Sequence, residues 1–179
     1  MTVPVLTTPR LSLRRHVADD LDAAAAMWGD PEIVRFIGGK PSTRFDTWNR
    51  LLRYIGHWSV RPFGYWAIVE RESGRFIGDI GLADWHREGY GSLLDAPEAG
   101  WALARAAHGR GYALEALQAV LAWADREIAH ATVCIISPEN EASVRLAQKV
   151  GYQRVEADFE KADSLLLFRR EPDSTAQAA

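Results

Sequence analysis

The stretch Glu98-Ala99-Gly100-Trp101-Ala102-Leu103-Ala104-Arg105-Ala106-Ala107-His108-Gly109-Arg110-Gly111-Tyr112-Ala113 decides the reading of this chain. Residues 98–104 form a strand-like run. From residue 111 or 112 to 128, Leu114, Leu117, Val120, Leu121, Ala124 and Ile128 recur at helical spacing on one side. Between strand and helix lies a tight turn with Gly at 109 and 111. Two absent Cβ atoms let the backbone approach a ligand and adopt φ > 0. The first N–H groups of the helix lack intrahelical partners. With the helix dipole they make an anion site, to which Arg110 adds a charge. A turn that needs Gly for steric reasons alone shows the same pattern. The third Gly of the dinucleotide fingerprint is missing, as is the Gly-Lys-Ser/Thr of a Walker loop.

Working outward, Leu11-Ser12-Leu13-Arg14 alternates as a half-buried strand does. Asp19 and Asp20 stand in the first turn of a helix that carries Leu21 to Trp28. Asp30-Pro31 and Gly38-Gly39 read as turns. A second helix over residues 43–58 opens on Thr43 and Asp46, a capping-box spacing. Phe45, Trp48, Leu51, Leu52, Ile55 and Trp58 give it one apolar face. Residues 65–71 and 75–82 read as a hairpin around Glu72-Ser73-Gly74, and residues 84–97 as a loop.

Thr132-Val133-Cys134-Ile135-Ile136 has the continuous apolar character of a buried central strand. Ser137-Pro138 opens a short helix that ends at Gly151. Residues 152–159 and 164–169 close the sheet, and residues 171–179 form a disordered tail. The strand-helix-strand step over 98–136 implies a parallel pair, and the hairpin an antiparallel one. The expected class is therefore α+β, a mixed sheet with helices on both faces.

The 179 residues suit one domain. A net charge of −3 without a basic stripe argues against nucleic-acid binding. One cysteine, Cys134, rules out an internal disulfide and a multi-Cys metal site. The N-terminal residues lack a signal-peptide pattern, and no apolar run approaches the roughly 18 residues of a membrane span. The expectation is a soluble, cytoplasmic protein.

Gly109-Arg110-Gly111-Tyr112-Ala113, followed by Glu115-Ala116-Leu117, resembles motif A of the GNAT superfamily (Gcn5-related N-acetyltransferases). Thr8-Pro9-Arg10-Leu11-Ser12-Leu13-Arg14, Asp30-Pro31-Glu32-Ile33 and Glu98-Ala99-Gly100-Trp101 resemble its ribosomal-protein-alanine acetyltransferase-like (RimJ/RimL-like) branch, in order. So do Asn140-Glu141-Ala142-Ser143 and Lys149-Val150-Gly151-Tyr152. The resemblance covers roughly residues 7–170 as one domain. It implies the GNAT fold, a mostly antiparallel sheet of six to seven strands in which the fourth and fifth splay apart.

The resemblance also implies chemistry. Acetyl-CoA is the co-substrate, its pyrophosphate on His108, Gly109, Arg110, Gly111, Tyr112 and Ala113. Asn140 bonds the pantetheine, and a backbone N–H near Leu103 meets the oxyanion. Glu98 is the first choice of base, with Glu115 and Asp79 as weaker alternatives. Ser143 fits the branch's pattern of a Ser near this helix start beside the departing sulfur, and Ala147 stands where many relatives carry a Tyr acid. His108 stands where Gln or Arg is usual. Cys134 reads as a core thiol. The acceptor is a primary amine, on a small molecule or a protein N-terminus, and the protein a monomer or homodimer. A non-catalytic acetyl-CoA sensor and a drug- or toxin-modifying acetyltransferase are the alternatives.

Overall fold

The computed structural model describes residues 2–87, 96–156 and 164–173. Eight strands run in the order β1-β2-β3-β4-β5-β6-β8-β7. They are β1 (Leu6–Thr7), β2 (Leu11–Arg14), β3 (Tyr65–Glu70), β4 (Phe76–Ala83), β5 (Glu98–Leu103), β6 (Thr132–Ile136), β7 (Gln153–Val155) and β8 (Leu166–Arg170). The helices are α1 (Leu21–Trp28), α2 (Pro31–Val34), α3 (Arg44–Val60), α4 (Tyr112–Glu127) and α5 (Glu141–Lys149). The class is α+β, as expected. The count exceeds six to seven because of β1, whose two residues are too few to show a period. The chain divides into two compact units, Met1–Gly81 with Trp101–Val120, and Leu82–Gly100 with Leu121–Ala179.

In the first unit β2 pairs antiparallel with β3, from Leu11↔Glu70 to Arg14↔Ala67, and β3 with β4, from Tyr65↔Gly81 onward. Ala24, Met27 and Trp28 of α1 and Ile33 and Val34 of α2 pack on Ala102 of β5. Asp30-Pro31 is more than a turn: the Asp30 side chain accepts from Glu32 N–H and caps α2. The capping box of α3 forms as read, between Thr43 and Asp46.

The expected single apolar face of α3 is corrected. Thr47, Leu51, Tyr54 and Trp58 point inward, whereas Phe45, Leu52 and Ile55 are exposed. The helix is apolar over more of its circumference than the core can cover. Trp58 anchors it, edge-on to Trp66 with ring centroids 4.7 Å apart and its indole N–H on the Tyr65 carbonyl. Burying such a side chain stabilises by about 1.5–3 kcal/mol.

In the second unit β5 begins parallel to β6, at Glu98↔Val133, and β8 lies antiparallel to both β6 and β7. Ala96, Val133 and Leu167 centre its core. Buried Asp125 receives both guanidinium arms of Arg170, at 2.7 and 2.6 Å. The Tyr152 hydroxyl meets Thr132 Oγ1 at 2.8 Å. Helix α5 starts at Glu141, later than Ser137-Pro138 suggested, because Asn140 supplies the cap. The expected strand over 152–159 is described only to Val155, with 157–159 outside the described residues. The same holds for 88–95 of the 84–97 loop and 174–179 of the tail. No helix among the described residues is long and apolar enough to cross a membrane.

Candidate functional site

The turn after β5 is built residue by residue. Ala104 N–H bonds the Ile77 carbonyl at 2.8 Å. Because alternate residues of a strand bond to opposite edges, the N–H and C=O of Leu103 face away from β4. A 3₁₀ turn over Arg105–Ala107 follows. His108 is extended, and its Nε2 donates back to the Leu103 carbonyl at 2.8 Å. Gly109 and Gly111 both lie in the left-handed region, with φ of +72° and +76°. A Cβ on Gly109 would meet nothing within 4 Å, so its conformation, not crowding, requires glycine. The first helical bond of α4 runs from Glu115 N–H to the Gly111 carbonyl. The N–H groups of Tyr112, Ala113 and Leu114 therefore have no partner within the helix, and the glycine before them offers no side-chain cap. Three convergent donors at a positive helix end suit a diphosphate.

A polar frame holds this turn. Glu115 Oε1 accepts from the Thr8 hydroxyl (2.6 Å) and Arg10 N–H (2.9 Å), and Oε2 accepts from Arg10 Nε (2.7 Å). Arg10 Nη1 also donates to the Arg110 carbonyl at 2.8 Å. Burial alone would raise the Glu115 pKa, but the Thr8 and Arg10 donors outweigh it and lower it. The carboxylate is thus a structural partner rather than a base.

The Tyr112 ring lies between the Arg10 and Arg110 guanidiniums, at 4.5 and 4.7 Å from its centroid. Its hydroxyl donates to Glu70 Oε1 at 2.6 Å, which raises the phenol's pKa. Glu70 is drawn down to about 2, chiefly by the Ser73 hydroxyl, then by Tyr112 and Arg110. Arg110 Nη1 stands 3.1 Å from that carboxylate and is half exposed. Buried Tyr112 can therefore offer a ligand its backbone but not its ring.

The remaining candidates divide between the units. Leu103 and the turn belong to the first, Glu98, Asn140 and Ser143 to the second. Glu98 is largely buried, and both its oxygens accept from Arg87, at 2.8 and 2.9 Å. Asn140 caps α5, its Oδ1 accepting from Ser143 N–H at 3.2 Å, which leaves the amide NH₂ available. Ala147 is fully buried, and burial pushes the Cys134 thiol up, as befits a core position.

Asp79, the weaker alternative base, lies in the first unit. It is 2% exposed and accepts from Trp28 Nε1 and His16 Nε2, each at 2.7 Å. Nothing in the local sequence marks His16, since its partner lies 63 positions away.

Residues 10–153 match the family model described as the acetyltransferase (GNAT) domain. An uncharacterized N-acetyltransferase, p20, of Bacillus licheniformis is 26% identical over 166 residues, 90% of each chain. An acetyltransferase from Agrobacterium tumefaciens superposes with a TM-score of 0.82 at 28% identity, over 96% of each chain. RimL, the ribosomal L7/L12 α-N-protein acetyltransferase solved with coenzyme A, shares the fold at a TM-score of 0.74 and 15% identity, over 96% of this chain and 99% of its own.

Proposed function

The chain belongs to the GNAT acetyltransferase family, and from that premise we propose that it moves the acetyl group of acetyl-CoA to a primary amine, on a protein or peptide N-terminus or a small molecule. The observation that carries this reading is the start of α4. Gly109 and Gly111 hold the left-handed turn, and the N–H groups of Tyr112, Ala113 and Leu114 open onto it without a side-chain cap. These donors, with Arg110, fit an anionic diphosphate. A diphosphate would take Arg110 from Glu70.

Bound there, acetyl-CoA supplies an activated acyl carbon and a thiolate leaving group. The chain supplies the rest. Leu103 offers its N–H, on the edge of β5 turned away from β4, to the developing oxyanion. His108 holds the Leu103 carbonyl, which belongs to the adjoining Leu103–Ala104 peptide plane. Asn140 uses its free amide NH₂ on the pantetheine arm. Ser143 donates a hydrogen bond to the departing sulfur. Glu98 takes the amine proton once Arg87, which orients the carboxylate, yields one oxygen. An α-amine, with a pKa of about 7.7–8.0, needs far less help at neutral pH than a lysine at about 10.4. That difference favours N-terminal and weakly basic amines.

Thiol release from acetyl-CoA against a panel of N-terminal peptides and small amines tests this reading. Amine-dependent release is expected. Binding of acetyl-CoA without release for any amine would instead support the sensor that Ala147 leaves as the alternative.

A further inference from the structure

Helix α3 carries a second apolar stripe beside the one it buries. Thr47, Leu51, Tyr54 and Trp58 face the core. Next to them Phe45, Trp48, Leu52, Ile55 and Ser59 recur at alternating spacings of three and four residues. That alternation is the seam of a helix pair. Phe45 is 72% exposed, Leu52 and Ile55 are exposed, and Val60 extends the face at 79%. A contiguous apolar patch of such side chains marks an interaction surface on a soluble protein.

The shape of this face fits a second copy of itself. Gly56 lies inside α3, where glycine weakens a helix relative to alanine. Its φ is not positive, and a Cβ there would meet nothing within 4 Å, so no described residue of the chain requires glycine at that place. The missing side chain leaves a notch among Leu52, Ile55 and Ser59, the kind of hole that a knob enters when helices pack. Toward the other end of the stripe Phe45 is the protruding knob, and Leu21, Arg44, Phe45 and Trp48 line a hollow of about 400 Å³. Positions 45 and 55 lie equally far on either side of 50. Antiparallel pairing about a two-fold axis near residue 50 therefore seats Phe45 of each copy in the other's Gly56 notch, and Ile55 of each in the other's hollow.

Charge selects the same direction. Asp46 and Arg53 stand seven residues apart on one edge of the stripe. Antiparallel pairing sets each Asp46 beside the other copy's Arg53, whereas parallel pairing sets like charge beside like. The neighbouring arginines are engaged within the chain, Arg44 with Asp22 and Arg50 over the Trp28 ring.

We propose that the chain forms a homodimer through this face of α3, with two α3 helices antiparallel and the same patch serving both copies. Such an isologous contact closes on itself, so assembly stops at two. Burial of Phe45, Leu52 and Ile55 supplies the attraction, and the Asp46–Arg53 pairs at the rim set register and orientation. One helix pair is small beside a standard interface of roughly 1,200–2,000 Å², so the dimer is reversible, with a dissociation constant of micromolar order.

Sedimentation equilibrium of the full chain from about 1 to 500 µM tests this. The mass is expected to rise from 20.0 kDa toward twice that value and no further. Gly56→Glu fills the notch with a better helix former, and Phe45→Asp removes the knob. Each raises the dissociation constant about tenfold or more and keeps the parent's circular dichroism. Arg53→Glu brings like charges together at Asp46 and raises it about threefold or more. If Phe45→Asp fails to fold, Gly56→Glu decides, because that change favours the helix. A chain that stays at 20.0 kDa over the whole range overturns the proposal. So does a dimer that folded Gly56→Glu leaves intact, or growth beyond two copies.

Discussion

Arg10 grips Glu115 from two sides, its backbone N–H on Oε1 and its guanidinium on Oε2, and the same guanidinium reaches the Arg110 carbonyl. The start of β2 thereby holds the first turn of α4, 105 positions away. The Thr8-Pro9-Arg10 opening and the glutamate four residues after Gly111 are thus joined in one hydrogen-bonded unit.

Removing Glu115 should therefore loosen the turn. Glu115→Ala leaves the Thr8 hydroxyl and Arg10 N–H without their acceptor, and about 1–3 kcal/mol of stability goes with it. The Glu115 pKa is lowered on folding, so its contribution is full above the usual carboxylate range of about 4.3 and fades as pH falls below it. Urea unfolding from pH 7 to pH 3 should show the parent losing stability on acidification and Glu115→Gln following a flatter curve.

Gly111→Ala tests the left-handed turn. An alanine at φ +76° costs about 1–2 kcal/mol. Any relaxation toward negative φ turns the N–H groups of Tyr112 and Ala113 aside. We expect a lower melting temperature and acetyl-CoA binding weakened about tenfold or more by calorimetry. Gly109→Ala should behave alike, since open space around its Cβ does not relieve the strain at φ +72°.

Arg110 and Glu70 make opposite predictions. Arg110→Ala should raise KM for acetyl-CoA with kcat little changed, because it removes a contact made equally in ground and transition states. Glu70→Gln frees Arg110 from a competing carboxylate, so KM should hold or fall. Glu70 titrates at about 2 in the folded chain, so its stabilising effect is complete above about pH 4.3 and is lost as pH falls toward 2. Acid denaturation of Glu70→Gln should lack that part of the parent's pH dependence.

The Asp125–Arg170 pair lies within the second unit. Both side chains are largely buried and joined by two short bonds. Asp125→Ala strands a buried guanidinium and should cost about 3–5 kcal/mol, read as a drop in the urea midpoint.

Local features were legible in the sequence, and pairings across the chain were not. The Gly109–Gly111 turn, the Thr43/Asp46 capping box and the helical stripe from Leu114 to Ala124 depend on neighbours within a few residues, so spacing reveals them. The Asp79 environment depends on His16 and Trp28, which folding delivers from 63 and 51 positions away, so no local pattern shows its partners. Helix α3 misled for another reason. Periodicity shows that Phe45, Leu52 and Ile55 share a stripe but not whether anything covers it. Glu98 was legible as a strand carboxylate, but its two bonds to Arg87 were not, since Arg87 comes from a loop without a pattern.

The central claim is that the turn before α4 holds the diphosphate of acetyl-CoA. A ¹⁵N-labelled titration with acetyl-CoA reads that turn directly. Saturable binding is predicted, with the largest amide shifts at Gly109, Arg110, Gly111, Tyr112, Ala113 and Leu114. No saturation at millimolar acetyl-CoA, or saturation that leaves these amides unmoved, would contradict the account.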